Sequence, residues 1–334
     1  MRIVVCAYSE VGFACLDELL RMGADVRLVV THRDTPGEAI WFGSVAERAR
    51  AARVPVIEPD DVNAPESVAA IGAARPDLLF SFYFRQMMRR QVLELPARGA
   101  LNLHGSLLPA YRGRAPVNWV LVHGETETGV TLHYMDEKPD HGEIVAQRRV
   151  AIGRDDTALV LTRKLAAAGR EVLRETLPLL EAGRAPSIVQ DHARSSYFGG
   201  RGPADGAIDW NWPAERVRNL VRAVTEPWPG AFARLDGETL VVWRAETAPA
   251  VAGLAPGEIA PGPGAEGAPR VACGEGSLDL LAVGWRGETL DGARWRAVEG
   301  RGGAGARFEA QQAAQVAGES GRTGATVAAE KETK

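Results

Sequence analysis

The sequence predicts an α/β fold: a Rossmann-like domain with a parallel sheet over residues 1–204, a smaller β-barrel domain over 205–300, and a disordered tail over 301–334. Three observations carry this expectation. From the first residues to Phe82, short apolar runs alternate with amphipathic stretches, the rhythm of strand–helix–strand units. A long run of good helix formers then covers Asp156–Ala182. Beyond Asp205 the texture changes to short strands separated by turn dipeptides.

Taken in order, Arg2–Tyr8 is an apolar run suited to a buried strand, and Ser9 offers an N-cap for an amphipathic helix to about Met22. Asp25–Thr31 reads as a second strand, Ser44–Ala52 as a helix, Val54–Glu58 as a short strand and Ala64–Ala74 as another helix. Asp77–Phe82 is again strand-like. The Asp156–Ala182 helix ends at Gly183, a residue free to turn left-handed. In the second domain, Asp236-Gly237 joins AFARL to ETLVVW, and Gly274–Gly276 joins RVAC to SLDLLAV. The stretch Arg301–Lys334 is rich in Gly, Ala and charge, too poor in apolar residues to order itself.

Open α/β sheets bind ligands beyond the carboxyl ends of their strands. The first strand–helix turn, Tyr8-Ser9-Glu10-Val11-Gly12, lacks the Gly-x-Gly-x-x-Gly pattern, which argues against a nicotinamide or flavin dinucleotide. A net charge of −4 without a basic cluster argues against nucleic acid. Three cysteines (Cys6, Cys15 and Cys273) show no zinc spacing, and the six histidines do not cluster. Cys6 and Cys15 fall in buried segments and read as reduced thiols. No apolar run suits a bilayer span, so a cytoplasmic protein without a membrane partner is expected. A homo-oligomer is compatible with all of this.

The chemistry concentrates in LNLHGSLLPAYRGRAP, residues 101–116. Asn102 and His104 lie two residues apart at a strand end, so both face one side and can address one reacting centre. The amide can donate to a developing oxyanion while the imidazole moves a proton. Downstream, Met135–Gly142 carries carboxylates, Asp136 and Asp140, either able to hold the imidazole. These are the parts of an acyl-transfer site with no metal and no covalent nucleophile. Arg112 and Arg114 occupy the Gly-broken loop, with Arg112 read as shaping it. By pattern alone Met87 and Met88 are packing residues, and Trp228, between two prolines, is an apolar interface residue. Arg201 reads equally as a phosphate contact or a solvated arginine.

The 101–116 segment followed by Asp140-His-Gly142, together with FSFYFRQMM, APVNWVLVHGETETGVTLHYM and VRAVTEPWPGAF, resembles the family that formylates amines with 10-formyltetrahydrofolate. The closest resemblance is to the formyltransferase portion of the bifunctional enzyme acting on UDP-4-amino-4-deoxy-L-arabinose, without that enzyme's dehydrogenase portion. The resemblance implies an OB-like second domain and makes Asp140 the orienting carboxylate beside catalytic Asn102 and His104. It also implies a folate site at Gln86, Met87, Met88, Arg114, Asp136, Glu137, Lys138, Pro139 and Asp140, with 10-formyltetrahydrofolate as co-substrate and no metal. The implied product, a formylated UDP-aminosugar, belongs to the cationic modification of lipid A that confers polymyxin resistance. Methionyl-tRNA formylation is the alternative, disfavoured by the short segment Arg33–Ser44, which holds one Arg, no Lys and two acidic residues. A different nucleotide-linked aminosugar is a second alternative. A non-catalytic relative would be expected to lack Asn102, His104 or Asp140, and all three are present.

Overall fold

A computed structural model describes residues 1–297 and 305–310. Strands β1 (Arg2–Ala7), β2 (Asp25–Val30), β3 (Val56–Ile57), β4 (Leu78–Phe82) and β5 (Ala100–His104) run parallel in the order β3-β2-β1-β4-β5. A two-residue strand, β6 (Arg112–Gly113), leaves this sheet. Strands β7 (Glu127–Tyr134) and β8 (Ile144–Ala151) then rejoin it antiparallel beyond β5. The parallel sheet expected from the alternating strands and helices is present; periodicity signals that a segment is a strand but not its direction, so the antiparallel hairpin at its edge was not read from the sequence.

Alternate residues of β1 feed two separate cores. Ile3, Val5 and Ala7 pack beneath α1 (Ser9–Arg21) and α6 (Ala158–Glu181), whereas Val4 and Cys6 join Ile71 of α3 (Pro65–Ala73) on the other face. The predicted elements recur with small shifts. Val54–Glu58 pairs over only two residues. Ser44 caps α2 (Val45–Ala51) by accepting from the Glu47 N–H at 3.2 Å. Ser9 does not cap α1: it is the first helical residue, with φ +62°, and the capping position falls on Tyr8. Tyr8 is fixed there by its N–H bond to Phe82 O and its hydroxyl bond to Asp34. All three cysteines are buried and free, and burial pushes each thiol pKa up. No described helix is long and apolar enough to cross a membrane.

After α6, β9 (Tyr197–Phe198) returns to pair with β6. Helix α7 (Ala214–Val224) leads into an antiparallel sheet of β10 (Ala231–Leu235), β11 (Glu238–Ala248), β12 (Ile259–Pro263), β13 (Pro269–Ala272), β14 (Ser277–Trp285) and β15 (Glu288–Asp291). The β10–β11 hairpin turns at Asp236-Gly237. This second region is tied to the first through α5 (Pro116–Val122), where Asn118 Nδ2 donates to Ala223 O at 2.7 Å, and through Trp41 against Trp228. Within the 301–334 stretch, residues 305–310 are described: Phe308 is 2% exposed, packs on Trp210 and donates its N–H to Gly257 O. The rest of that stretch lies outside the described residues.

Candidate active site

The site is assembled where β5 ends beside β7. Antiparallel register sets Asn102 directly opposite His133 and His104 opposite Thr131. His104 is 6% exposed. Its Nε2 donates to the Tyr111 carbonyl at 2.8 Å, and its Nδ1 faces Asp140 Oδ1 at 3.4 Å, so the ring is held between two acceptors.

Asp140 reaches back from the β7–β8 connection in a left-handed conformation, φ +55°, which Asp tolerates better than most residues. Its Oδ2 accepts from the Gly113 N–H at 2.8 Å, and Oδ1 also lies 3.7 Å from His133 Nε2. Burial would push this carboxyl up. The His104 ring beside it, and then His133 and the Gly113 N–H, outweigh burial and hold it at about 2, against an ordinary 3.8. Asp136, its rival in sequence, sits on the exposed part of the same connection and faces His141 and the Lys138 N–H. Tyr111 and Ala115 are also left-handed, at φ +58° and +53°. Such strain is retained where the surrounding structure fixes it, and it gathers at working sites. Gly105 is obligatory, since a Cβ there would strike the Tyr83 hydroxyl.

Two clefts involve segments that adjoin these residues in sequence. One, about 330 Å³, is lined by Met87, Met88, Arg89, Arg90, Gln91 and Glu137. It joins the segment after β4 to the connection that carries Asp140. Met87 is exposed and Met88 buried, while Asp136–Pro139 are exposed. The Gln86 side chain is turned away to the chain before α3, accepting from the Val62 N–H and donating to Asp60 O. The second cleft, about 170 Å³, is bounded by Ala115, Asn118, Arg201, Trp228 and Gly230 among others. Arg201 is not the solvated side chain that sequence allowed: its guanidinium lies 4.5 Å over the Trp119 ring, and Nη2 donates to Asp205 O. Burial pushes its pKa down. Arg114 is exposed, runs along Gly200, and lines neither cleft. Arg112 is buried and braces the loop through Gln190 and His192.

His133 went unnoticed in the sequence. Its only signal was a histidine inside the strand-like run Val130–Tyr134. No group of three or more His, Cys, Asp or Glu among the described residues could hold a metal ion.

An α/β sheet that gathers an amide, an imidazole and a carboxylate beyond its strand ends, followed by an antiparallel sheet, has the build of a group-transfer enzyme. The chain belongs to the formyl transferase family, whose N-terminal profile matches residues 1–177 and whose C-terminal domain profile matches 202–297. Among solved structures it is similar to WlaRD, a sugar 3N-formyl transferase crystallised with dTDP and 5-N-formyl-THF. The two share 18% identity and a TM-score of 0.64 over 84% of this chain and 96% of that one. It is similar to the N-formyltransferase from Helicobacter canadensis in complex with folinic acid and dTDP-3-aminofucose, at 18% identity and TM-score 0.63 over 83% and 98%. It also resembles HypX from Aquifex aeolicus bound to tetrahydrofolic acid, at 19% identity and TM-score 0.61 over 89% and 47%. At these identities the likeness is one of fold.

Proposed function

We propose that the protein transfers the formyl group of 10-formyltetrahydrofolate to the 4-amine of UDP-4-amino-4-deoxy-L-arabinose, giving a formamide and tetrahydrofolate for lipid A modification. The observation that carries this reading is the convergence of Asn102, His104 and Asp140 at one strand end. The amine nitrogen attacks the formyl carbon, and the Asn102 amide donates to the oxygen as it gains charge. The neutral His104 ring, its hydrogen on Nδ1 toward Asp140 and the lone pair of Nε2 turned from the Tyr111 carbonyl to the substrate, takes the proton released by the amine. The bond from the formyl carbon to the folate nitrogen then breaks, and His104 returns the proton to that nitrogen. Asp140 steadies the ring while it is charged.

The cleft of Met87, Met88 and Glu137 suits the flat apolar body of the folate. The cleft under Arg201 suits the diphosphate end of the sugar nucleotide, with a partly desolvated guanidinium for an anion. The structural neighbours solved with dTDP or a dTDP-aminosugar support a nucleotide-linked amine as acceptor.

The test offers the protein 10-formyltetrahydrofolate with the UDP-aminopentose, a dTDP-aminohexose or methionyl-tRNA, and weighs each product by mass. Formylated UDP-aminopentose is the expected result. Product from another acceptor alone would reassign the substrate, and no product from any acceptor would refute the transfer. His104→Ala and Asn102→Ala should each lower kcat by about 10²–10³ while the protein stays folded.

A further inference from the structure

Resting on that functional reading, we infer that His133 is a positioning residue: its Nδ1–H tautomer fixes the Asn102 amide with its nitrogen toward the ring, so that the second N–H is free for the formyl oxygen.

His133 is 1% exposed, and its side chain shares the sheet face with Asn102 in a directly opposed cross-strand pair. Its Nδ1 lies 2.7 Å from the Tyr134 carbonyl oxygen. A carbonyl only accepts, so Nδ1 carries the hydrogen, and Nε2 of the neutral ring is left with a lone pair. That lone pair faces Asn102 Nδ2 at 3.2 Å. An amide oxygen in the same place would set two acceptors against each other, so the ring decides which way the amide is turned. The Tyr134 carbonyl is thereby linked through one imidazole to the group that meets the oxyanion. Asp140 Oδ1 lies 3.7 Å from the same Nε2, beyond hydrogen-bond reach, which leaves the lone pair to the amide. Without the ring nothing else described holds the Asn102 amide.

Formyl transfer from 10-formyltetrahydrofolate to the UDP-aminopentose would be followed for wild type, His133→Leu, His133→Gln and each change combined with Asn102→Ala. His133→Leu should lower kcat by about 10- to 100-fold with both KM values nearly unchanged, less than the roughly 10²–10³ lost when an oxyanion donor is deleted. Gln can offer an acceptor oxygen in place of Nε2 and should recover most of that loss. On the Asn102→Ala background, His133→Leu should have no further effect on kcat. Independent, multiplying losses would overturn the proposal, as would a Gln variant no better than Leu. Nitrogen-15 NMR of the wild-type imidazole reads the tautomer without turnover: a neutral Nδ1–H ring is expected, and an Nε2–H ring overturns the assignment. Should wild type transfer no formyl group, the functional reading falls, while the NMR result still decides the His133–Asn102 contact.

Discussion

Replacing Gly113 by alanine should disturb Asp140 without touching any reacting group. Gly113 adopts φ +97°, a region that L residues enter at a penalty of about 1–3 kcal/mol. A Cβ there would fall well inside contact distance of the Phe198 carbonyl and 3.0 Å from the Tyr197 ring, so β6 and β9 must separate by on the order of 1 Å. That movement strains the Arg112–Ser196 and Arg114–Phe198 backbone bonds, each worth about 1 kcal/mol. It also pulls the Gly113 N–H from Asp140 Oδ2, a bond to a charged group worth about 1.5–3 kcal/mol. With partial relaxation the loss should be about 3–4 kcal/mol, or roughly 4–6 °C in Tm for a chain of this size. The kcat should fall with it as the carboxylate loses its anchor. Thermal unfolding and formyl-transfer kinetics would be measured beside Gly23→Ala, whose φ of +73° carries the backbone penalty but whose Cβ meets nothing within 4 Å. That control should lose only about 1–2 kcal/mol and keep its kcat. If Gly113→Ala matched the control in both Tm and kcat, the coupling of the β6–β9 pair to Asp140 would be refuted.

Two further outcomes follow. The Asp140 carboxyl is held at about 2 in the fold, below its ordinary 3.8, so its contribution is complete above about pH 4 and disappears as pH falls through about 2. Asp140→Asn should therefore be less stable than wild type by about 2 kcal/mol at pH 6, with the gap closing toward pH 2. A gap in urea unfolding that did not change with pH would contradict this. Phe308→Ala should destabilise by about 3–4 kcal/mol through the void left beside Trp210, with kcat unchanged, and a loss below about 1 kcal/mol would show that residues 305–310 do not pack there.

The elements that sequence foretold are those whose burial is local and unbroken. The run Ile3–Ala7 is apolar at every position because it is covered on both faces, and that is visible without any partner. Asn102 and His104 were legible because their spacing alone places them on one face. What escaped depends on register between distant segments. His133 becomes meaningful only once β7 is set antiparallel against β5, and Gly113 only once β6 meets β9. The Ser9 cap failed for a related reason: local preference favoured a serine, but the turn was fixed by the bond of Tyr8 to the far end of β4.

The contact between Trp41 and Trp228 has a consequence for synthesis. Every group of the reacting trio, and the hairpin that orients it, is in hand once the chain has been made through β8. The cleft of Arg201, Trp228 and Gly230 is not, because beyond Ala115 and Asn118 its walls come from segments translated later. Domains commonly fold as they emerge, amino-terminal part first. A nascent chain halted near residue 180 would thus carry the reactive groups with only one of the two clefts formed, and translation of the segment through Gly230 completes the second.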